Sequence, residues 1–172
     1  MTGKEKTVAL SRLARECAAA SALKSNLAVK AFETDESGAP LPSNGVFWSL
    51  SHKPGYVAGV ASVKEVGIDI EKLKPVSHAL FRRIVDETEA LRFPARDRDH
   101  VFFRVFTAKE AVLKKAGIGM RGLSKAKIHG VLDDRNLLVR YGDKKYRVEH
   151  FYFDGYLASV TKDKVDIEWR FK

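Results

Sequence analysis

The sequence has one cysteine, Cys17, so it cannot form a disulfide within the chain. It has no apolar run approaching the roughly 20 residues that a membrane-spanning helix needs. The first residues, Met1 to Lys6, are not followed by the apolar stretch of a secretory signal peptide. There is no GxxxxGK[ST] phosphate loop, no full dinucleotide fingerprint and no Cys–His cluster of zinc-binding type. These absences predict a cytoplasmic protein without a membrane partner.

Positive charge is in excess. The 172 residues include 31 Lys and Arg against 22 Asp and Glu, a formal net charge of +9. Such a balance favours an acidic partner, such as a phosphorylated ligand, a nucleic acid or an acidic protein, but it does not choose among them. With 45% hydrophobic residues, the chain is long enough to bury a substantial core. We expect one unit spanning residues 1–172.

Hydrophobic spacing predicts a mixed succession of helices and strands. Helices are predicted at 8–23, 77–92 (in two pieces) and 99–116, and strands at 46–50, 56–63, 66–71, 126–132, 136–141, 146–153, 156–161 and 165–171. The segment 34–44 is rich in Gly, Pro and Ser, which predicts a loop. Asp154-Gly155 predicts a hairpin turn between two of the strands.

The chain contains a short internal echo. Gly55-Tyr56-Val57-Ala58-Gly59-Val60 resembles Gly155-Tyr156-Leu157-Ala158-Ser159-Val160, and Asp69-Ile70-Glu71 is echoed by Asp166-Ile167-Glu168 in the same order. Short matches of this kind arise by chance or by gene duplication. Duplication predicts an α+β fold, a pseudo-dimer of two similar halves at about 1–63 and 64–172, with an active site at the seam.

Two acids alternate with two isoleucines in Gly67-Ile68-Asp69-Ile70-Glu71. On a strand, Ile68 and Ile70 point to one face, while Asp69 and Glu71 point together to the other. Two carboxylates roughly 7 Å apart along a strand repel each other unless a cation lies near them, and a hard cation with oxygen ligands serves this purpose. The alternative is a solvent-facing strand edge.

The helical segment Phe106-Thr107-Ala108-Lys109-Glu110-Ala111-Val112-Leu113-Lys114-Lys115 offers a third carboxylate. Glu110 and Lys114 are four residues apart and share one helix face, which is also the spacing of an ordinary surface ion pair. In the functional interpretation Glu110 joins the metal site, and Lys109 and Lys114 hold phosphate oxygens. Magnesium commonly binds a few carboxylates together with substrate phosphates.

A third candidate element is Ser51-His52-Lys53, at the end of a predicted strand. Its hydroxyl, imidazole and ammonium groups can together donate hydrogen bonds to a phosphate. The alternative is a loop with a solvated histidine.

The order of these elements resembles the 4'-phosphopantetheinyl transferase superfamily. Ser-His is followed by Gly-Ile-Asp-Ile-Glu, then by Phe-Thr-Ala-Lys-Glu-Ala-Val-Leu-Lys-Lys and Gly-Ile-Gly. The chain is more similar to the larger, broad-specificity type, which activates peptide and polyketide synthases, than to the small trimeric type. The resemblance covers residues 38–132 well and the last forty weakly.

This resemblance implies a transferase that moves phosphopantetheine from coenzyme A to a serine of an acidic acyl or peptidyl carrier protein. It implies a monomer without a nucleic-acid partner, with coenzyme A in the cleft between the halves. The implied residue roles are Mg²⁺ binding by Asp69, Glu71 and Glu110, coenzyme A phosphate contacts by Lys109 and Lys114, 3'-phosphate contacts by Ser51 and His52, and an adenine contact by Pro40.

The implied mechanism uses Glu110, or a water that it orients, as the general base toward the carrier serine. Lys114 and Mg²⁺ stabilise the leaving 3',5'-ADP. The chain departs from the usual pattern at Lys53, where the family often has a small hydroxyl residue, at Phe106, where tryptophan is usual, and at Ala39, where many members have lysine. The N-terminal half is also shorter than in typical members.

Two other functions fit parts of the sequence. A metal-dependent nuclease also uses acids and a lysine, but its usual arrangement places an Asp and a Glu-x-Lys on adjacent strands. A member of the fold that has lost activity could instead be a basic binding module. Its aromatic residues Phe47, Trp48, Tyr152 and Trp169 could stack on bases, although at strand spacing such residues are more often core.

Overall fold

The first part of the chain is a helix packed on a hairpin. In a computed structural model that describes residues 3–94 and 96–171, helix α1 (Gly3–Lys24) is followed by an irregular segment and by the antiparallel strands β1 (Phe47–Lys53) and β2 (Tyr56–Ser62). The predicted loop at 34–44 is confirmed, since only isolated bridges interrupt it. Ala22, Val46, Trp48 and Ala61 form a small core between the helix and the hairpin.

The second part is a five-stranded antiparallel sheet. Its strands are β3 (Ile68–Lys72), β4 (Lys127–Val131), β5 (Asn136–Tyr141), β6 (Lys144–Phe153) and β7 (Tyr156–Thr161), in the spatial order β3-β7-β6-β5-β4. Strand β3 is therefore an edge strand, and its neighbour β7 comes from the far end of the chain. Asp154 and Gly155, both with positive φ, form the β6–β7 turn, as their sequence predicts.

Three helices lie between β3 and β4. They are α2 (His78–Ile84), the single turn α3 (Glu87–Ala90) and the long α4 (Arg98–Ala116). The predicted break of the 77–92 segment into two pieces is confirmed. Helix α4 begins after the N-cap Asp97, whose carboxylate accepts a hydrogen bond from the His100 N–H, and it ends at Gly117 in the left-handed conformation. A 3₁₀ turn at Met120–Gly122 follows.

Helix α4 packs on one face of the five-stranded sheet and provides the main core. Val105, Ala108 and Val112 pack there with Leu137, Val139, Val148 and Leu157 from the strands, and all are fully buried. The helix comes very close to the chain just before β3, where an added Cβ on Gly67 would lie 1.9 Å from the carbonyl oxygen of Ala111. Gly67 is therefore required for this close approach of helix and strand.

Two serine side chains join the two sheets. The Ser49 hydroxyl accepts a hydrogen bond from the N–H of Ile68 (3.2 Å), and the Ser51 hydroxyl accepts one from the N–H of Ile70 (3.2 Å). Strand β3 is thus hydrogen-bonded to β7 on one edge and to side chains of β1 on the other. These bonds satisfy backbone donors that would otherwise be buried without partners at the sheet edge.

The predicted strand at 165–171 is wrong, because this segment pairs with no strand. Its alternating residues nevertheless pack inward on the sheet face opposite α4. Ile167 and Trp169 contact a cluster around Ile68 and Val160, and Trp169 stacks on Phe151 at 5.2 Å between ring centroids. Side-chain packing, not backbone pairing, explains the period-two pattern here.

The internal echo is matched by the structure only in its first part. Both β2 and β7 are the second strand of a hairpin, and each directly follows a turn glycine with positive φ, Gly55 or Gly155. Strand β2 packs on α1, and β7 packs on α4. However, Asp69-Ile70-Glu71 lies in β3, whereas its echo Asp166-Ile167-Glu168 lies outside any strand. The sheets also differ in size, so the duplication and the division into two similar halves stay predictions.

Across the described ranges, no helix combines the length and apolarity needed to cross a membrane.

Candidate active site

One face of α4 carries three residues spaced four apart, Phe106, Glu110 and Lys114. Residues at this spacing lie above one another along a helix. They face strand β3 and the end of β1. The helix and the two strands line a cavity of about 380 Å³ that is open to solvent. The lining residues are Leu50, Ser51, His52, Lys53, Asp69, Glu71, Phe106, Glu110, Lys114 and Met120.

Strand β3 directs both of its acids toward α4. Asp69 pairs across the sheet with Ser159 and Glu71 with Leu157, on the face that α4 covers, while Ile68 and Ile70 face the opposite side. The predicted alternation is therefore confirmed. The two carboxylates and Glu110 line the same cavity although they are separated by about forty residues in sequence.

Asp69 lies at the centre of the polar contacts. Its Oδ1 accepts hydrogen bonds from the Ser51 hydroxyl (2.9 Å) and from Nζ of Lys114 (2.8 Å). Lys114 also donates to the carbonyl oxygens of Ile68 (3.0 Å) and Leu50 (3.3 Å), so it links α4 to both sheets. The other oxygen, Asp69 Oδ2, is buried without a hydrogen-bond partner.

Glu71 forms an ion pair with Lys53, whose Nζ lies 2.8 Å from Oε1. Burial raises the pKa of Glu71 above its ordinary value, and the negative charge of Asp69 adds to this, although Lys53 opposes both effects. Each of the two strand carboxylates in the cavity therefore has its own lysine, Asp69 with Lys114 and Glu71 with Lys53.

Of the three acids in the cavity, Glu110 is the one whose negative charge is least neutralised by nearby positive charges. Burial, together with the negative charge of Asp69, raises the pKa of Glu110 to about 7, and the positive charge of Lys114 only partly opposes this. Its Oε1 is buried without a partner. A carboxyl group with a pKa near neutrality can both take up and release a proton under ordinary conditions, which suits general acid–base chemistry.

His52 is half-buried at the rim of the cavity. Burial and the nearby positive charges of Lys114 and Lys53 lower its pKa below the ordinary value. The imidazole is therefore neutral at physiological pH and can donate one hydrogen bond.

Two of the predicted site residues do not reach the cavity. The Lys109 ammonium group is buried on another side of α4, where it donates to Oε2 of Glu89 (2.8 Å) and to the carbonyl oxygen of Ile84 (2.8 Å). Consecutive helix residues point about 100° apart, so Lys109 and Glu110 cannot share a face. Pro40 lies in an exposed bridge with Thr34 and is not among the lining residues.

Four lining residues, Leu50, Lys53, Phe106 and Met120, were not selected from the sequence as site residues. Lys53 was considered as a phosphate donor beside Ser51 and His52 and as a departure from the family pattern, but it contacts Glu71 directly. Phe106 could have been found from its position one helical turn before Glu110. Met120 follows the turn after α4, and nothing in its sequence context indicates that it reaches the cavity.

The donor set suits a hard cation in chemical type. Within residues 3–94 and 96–171, no group of three or more His, Cys, Asp or Glu side chains is already arranged to hold a metal ion. Two carboxylate oxygens in the cavity, Asp69 Oδ2 and Glu110 Oε1, nevertheless lack partners. Oxygen ligands of this kind are those that Mg²⁺ prefers.

The cavity between helix α4 and the edge strand β3 is thus lined by three acids and two lysines. Residues 65–161 match the family model of the 4'-phosphopantetheinyl transferase superfamily. The matched region is more than half of the chain and contains β3 and α4. The chain belongs to this superfamily.

Individual relatives agree with the family match. A 4'-phosphopantetheinyl transferase of Bacillus pumilus is 37% identical over 101 residues, which cover 54% of this chain and 42% of that protein. One from Bacillus subtilis (strain 168) is 32% identical over 96 residues, covering 52% and 42%. One from Nostoc sp. is 32% identical over 108 residues, covering 56% and 46%. The chain thus spans a little less than half the length of the curated relatives that it matches.

Proposed function

We propose that this protein transfers the 4'-phosphopantetheine group of coenzyme A to a serine hydroxyl of an acyl or peptidyl carrier protein. The observation that carries this proposal is the single cavity lined by Asp69, Glu71, Glu110 and Lys114 in a member of the transferase superfamily. In the reaction, the serine oxygen forms a bond to the β-phosphorus of coenzyme A. The bond from this phosphorus to the bridging pyrophosphate oxygen breaks, which releases 3',5'-ADP.

Asp69, Glu71 and Glu110 are the residues that would hold Mg²⁺. The bound cation would supply charge neutralisation for the pyrophosphate. Their partly unpartnered oxygens and their position around one cavity support this assignment.

Glu110 is proposed as the general base, directly or through a water molecule, because it lines the cavity and one of its carboxylate oxygens has no hydrogen-bond partner there. The serine proton passes to its carboxylate as the new bond to phosphorus forms. Lys114, on the same helix face, would donate to the phosphate oxygens that gain charge as 3',5'-ADP leaves.

Ser51 and His52 are proposed to meet the 3'-phosphate of coenzyme A. Both line the cavity at the end of β1. The neutral imidazole can donate one hydrogen bond, whereas the Ser51 hydroxyl, which donates to Asp69, would exchange that bond for one to the phosphate. We assign Lys109 to the fold instead, because its ion pair with Glu89 is almost entirely buried. An adenine contact at Pro40 rests on the family resemblance alone.

The carrier protein is proposed to be acidic, because a net charge of +9 favours its encounter with this enzyme. Arg82 and Arg83, exposed in the last turn of α2, are candidate contacts. We propose that the protein works as a monomer in the cytoplasm, without a nucleic-acid or membrane partner.

The test is intact-mass spectrometry of several apo carrier proteins incubated with this protein, coenzyme A and Mg²⁺. We expect a mass gain of one phosphopantetheine on at least one carrier and its loss with Asp69→Ala. The same reactions without Mg²⁺, with EDTA present, test the metal requirement. No gain on fatty-acid, peptidyl or polyketide carriers, together with no binding of coenzyme A, would refute the transferase proposal and favour a binding module that has lost activity.

A further inference from the structure

Lys53 is an unusual neighbour for a carboxylate that is proposed to bind a cation. It is the last residue of β1, and its Nζ lies 2.8 Å from Oε1 of Glu71. The Lys53 side chain is 37% exposed and the Glu71 side chain only 15%. The lysine therefore reaches from the rim of the cavity to a mostly buried acid, and part of its own hydration is retained.

The two lysines of the cavity are held differently. Lys114 donates to Asp69 and also to two backbone carbonyl oxygens, so three acceptors fix its position. Within the described part of the chain, the Lys53 ammonium group has one ion-pair partner, Glu71, and the lysine lies on the strand end next to Pro54 and Gly55. Because the Lys53 side chain is 37% exposed and has one acceptor, its ammonium group can exchange this bond for one to water.

The charges in the cavity favour a cation beside Asp69, Glu71 and Glu110. Asp69, Glu71 and Glu110 contribute up to three negative charges, whereas Lys53 and Lys114 contribute two positive ones. Asp69 Oδ2 and Glu110 Oε1 have no hydrogen-bond partner and are buried in residues that are 5% and 9% exposed. The acid that would complete a three-carboxylate cation site is the one to which Lys53 is bound.

We propose that Lys53 is a tethered counter-ion that competes with the divalent cation for Glu71. In the free protein its ammonium group neutralises Glu71. When a divalent cation binds the three carboxylates, Lys53 is released toward the cavity mouth, where it can donate to a phosphate of the ligand. Metal binding is thereby weak in the absence of the phosphorylated ligand and strong in its presence. This inference rests on the proposed metal role of these carboxylates.

The test compares metal affinity among matched variants by isothermal titration calorimetry with Mg²⁺ and Mn²⁺, without coenzyme A. Lys53→Ser removes the charge, and Lys53→Arg keeps it. Lys72→Ser removes a charge from the end of β3, where Lys72 lies on the outer face over the Tyr156 ring. We expect Lys53→Ser to bind either metal roughly tenfold more tightly than the wild type, since one competing charge is removed. Lys53→Arg and Lys72→Ser should stay within about twofold of the wild type.

A second titration, with coenzyme A present, tests the release of Lys53. Coenzyme A should tighten metal binding in the wild type and less so in Lys53→Ser, because that variant has no ammonium group to place on the phosphate. Equal metal affinities of Lys53→Ser and wild type, or weaker binding by the variant, would overturn the inference even if the carrier is modified. Tighter binding by Lys53→Ser supports it whether or not a carrier substrate has been found, so the failures of the two proposals are distinguishable.

Discussion

Helix α4 carries two adjacent charged residues whose surroundings differ completely. Lys109 belongs to a buried hydrogen-bond network. In it, the Glu89 carboxylate accepts hydrogen bonds from Lys109, from the N–H of Ile128 and from the N–H of Asp86. Glu110 enters an open cavity and keeps one oxygen without a partner. A buried charge with all its hydrogen bonds satisfied supports the fold, whereas a buried charge left unsatisfied beside a cavity is available for a ligand.

The comparison also separates two lysines that look equivalent in sequence. Both Lys109 and Lys114 flank Glu110 and belong to the same family motif. Only Lys114 shares the helix face of Glu110 and contacts Asp69. The predictions below test the division of α4 into a structural side, which carries Lys109, and a ligand side, which carries Glu110 and Lys114. They run from the largest expected effect to the smallest.

Asp69→Asn should give the largest loss on the ligand side. The substitution keeps the shape but removes the charge that binds Lys114 and would bind the cation, so kcat/KM for carrier modification should fall by at least about 10²-fold. Single-turnover intact-mass measurements would determine this value. Circular dichroism should show an unchanged fold, and retention of more than a tenth of the wild-type rate would contradict the assigned role.

Lys109→Met should instead act on stability. It leaves the Glu89 carboxylate buried without its counter-charge, which should cost about 3–5 kcal/mol of unfolding free energy. Urea denaturation would measure the loss. The double variant Lys109→Met with Glu89→Gln is the control and should recover part of it. If Lys109→Met stayed stable but its KM for coenzyme A rose strongly, Lys109 would belong to the ligand side after all.

Gly67→Ala tests whether the cavity requires the close approach of β3 to α4. The added methyl group would lie 1.9 Å from the carbonyl oxygen of Ala111, a backbone atom that cannot move alone. We expect a loss of about 1–3 kcal/mol in stability and a lower transfer rate in the folded fraction. Gly130→Ala in β4 is the matched control, since its nearest contact would be at 4.0 Å. Equal effects of the two substitutions would refute the requirement for close approach.

The smallest expected effect concerns the pH dependence of the metal-free protein. The pKa of Glu110 is raised to about 7 in the folded state, above its value in the unfolded chain. Folding therefore favours the protonated form, and this contribution to stability is complete below the unfolded pKa and lost as the pH rises through about 7.

Glu110→Gln should consequently unfold at a higher temperature than the wild type at pH 8 in EDTA, with a gain of order 1 kcal/mol after solvent screening is considered. At pH 4, below the unfolded pKa of 4.5, the difference should nearly vanish. Differential scanning calorimetry at both values would measure it. A variant that is less stable than wild type at pH 8 would show that the ionised Glu110 is stabilised by contacts within the protein.

Much of the local structure followed from the sequence alone. The spacing of apolar residues predicted most of the helices and strands, including a helix that ends at residue 116, and the alternation in Ile68-Asp69-Ile70-Glu71 predicted that both acids face one side. These features depend on backbone periodicity and steric preferences, which act over a few residues. The order of the motifs was also sufficient to indicate the superfamily that the family match confirms.

Tertiary structure decided which charges meet. Whether Lys109 or Lys114 faces the cavity depends on the side of α4 that the sheet covers, and the ion pair of Lys53 with Glu71 depends on β1 lying beside β3. The segment 165–171 has the period of a strand, but both edges of β7 are already paired, so this segment packs by side chains instead. Contacts between residues distant in sequence arise only when the elements pack, and local patterns contain no information about that packing.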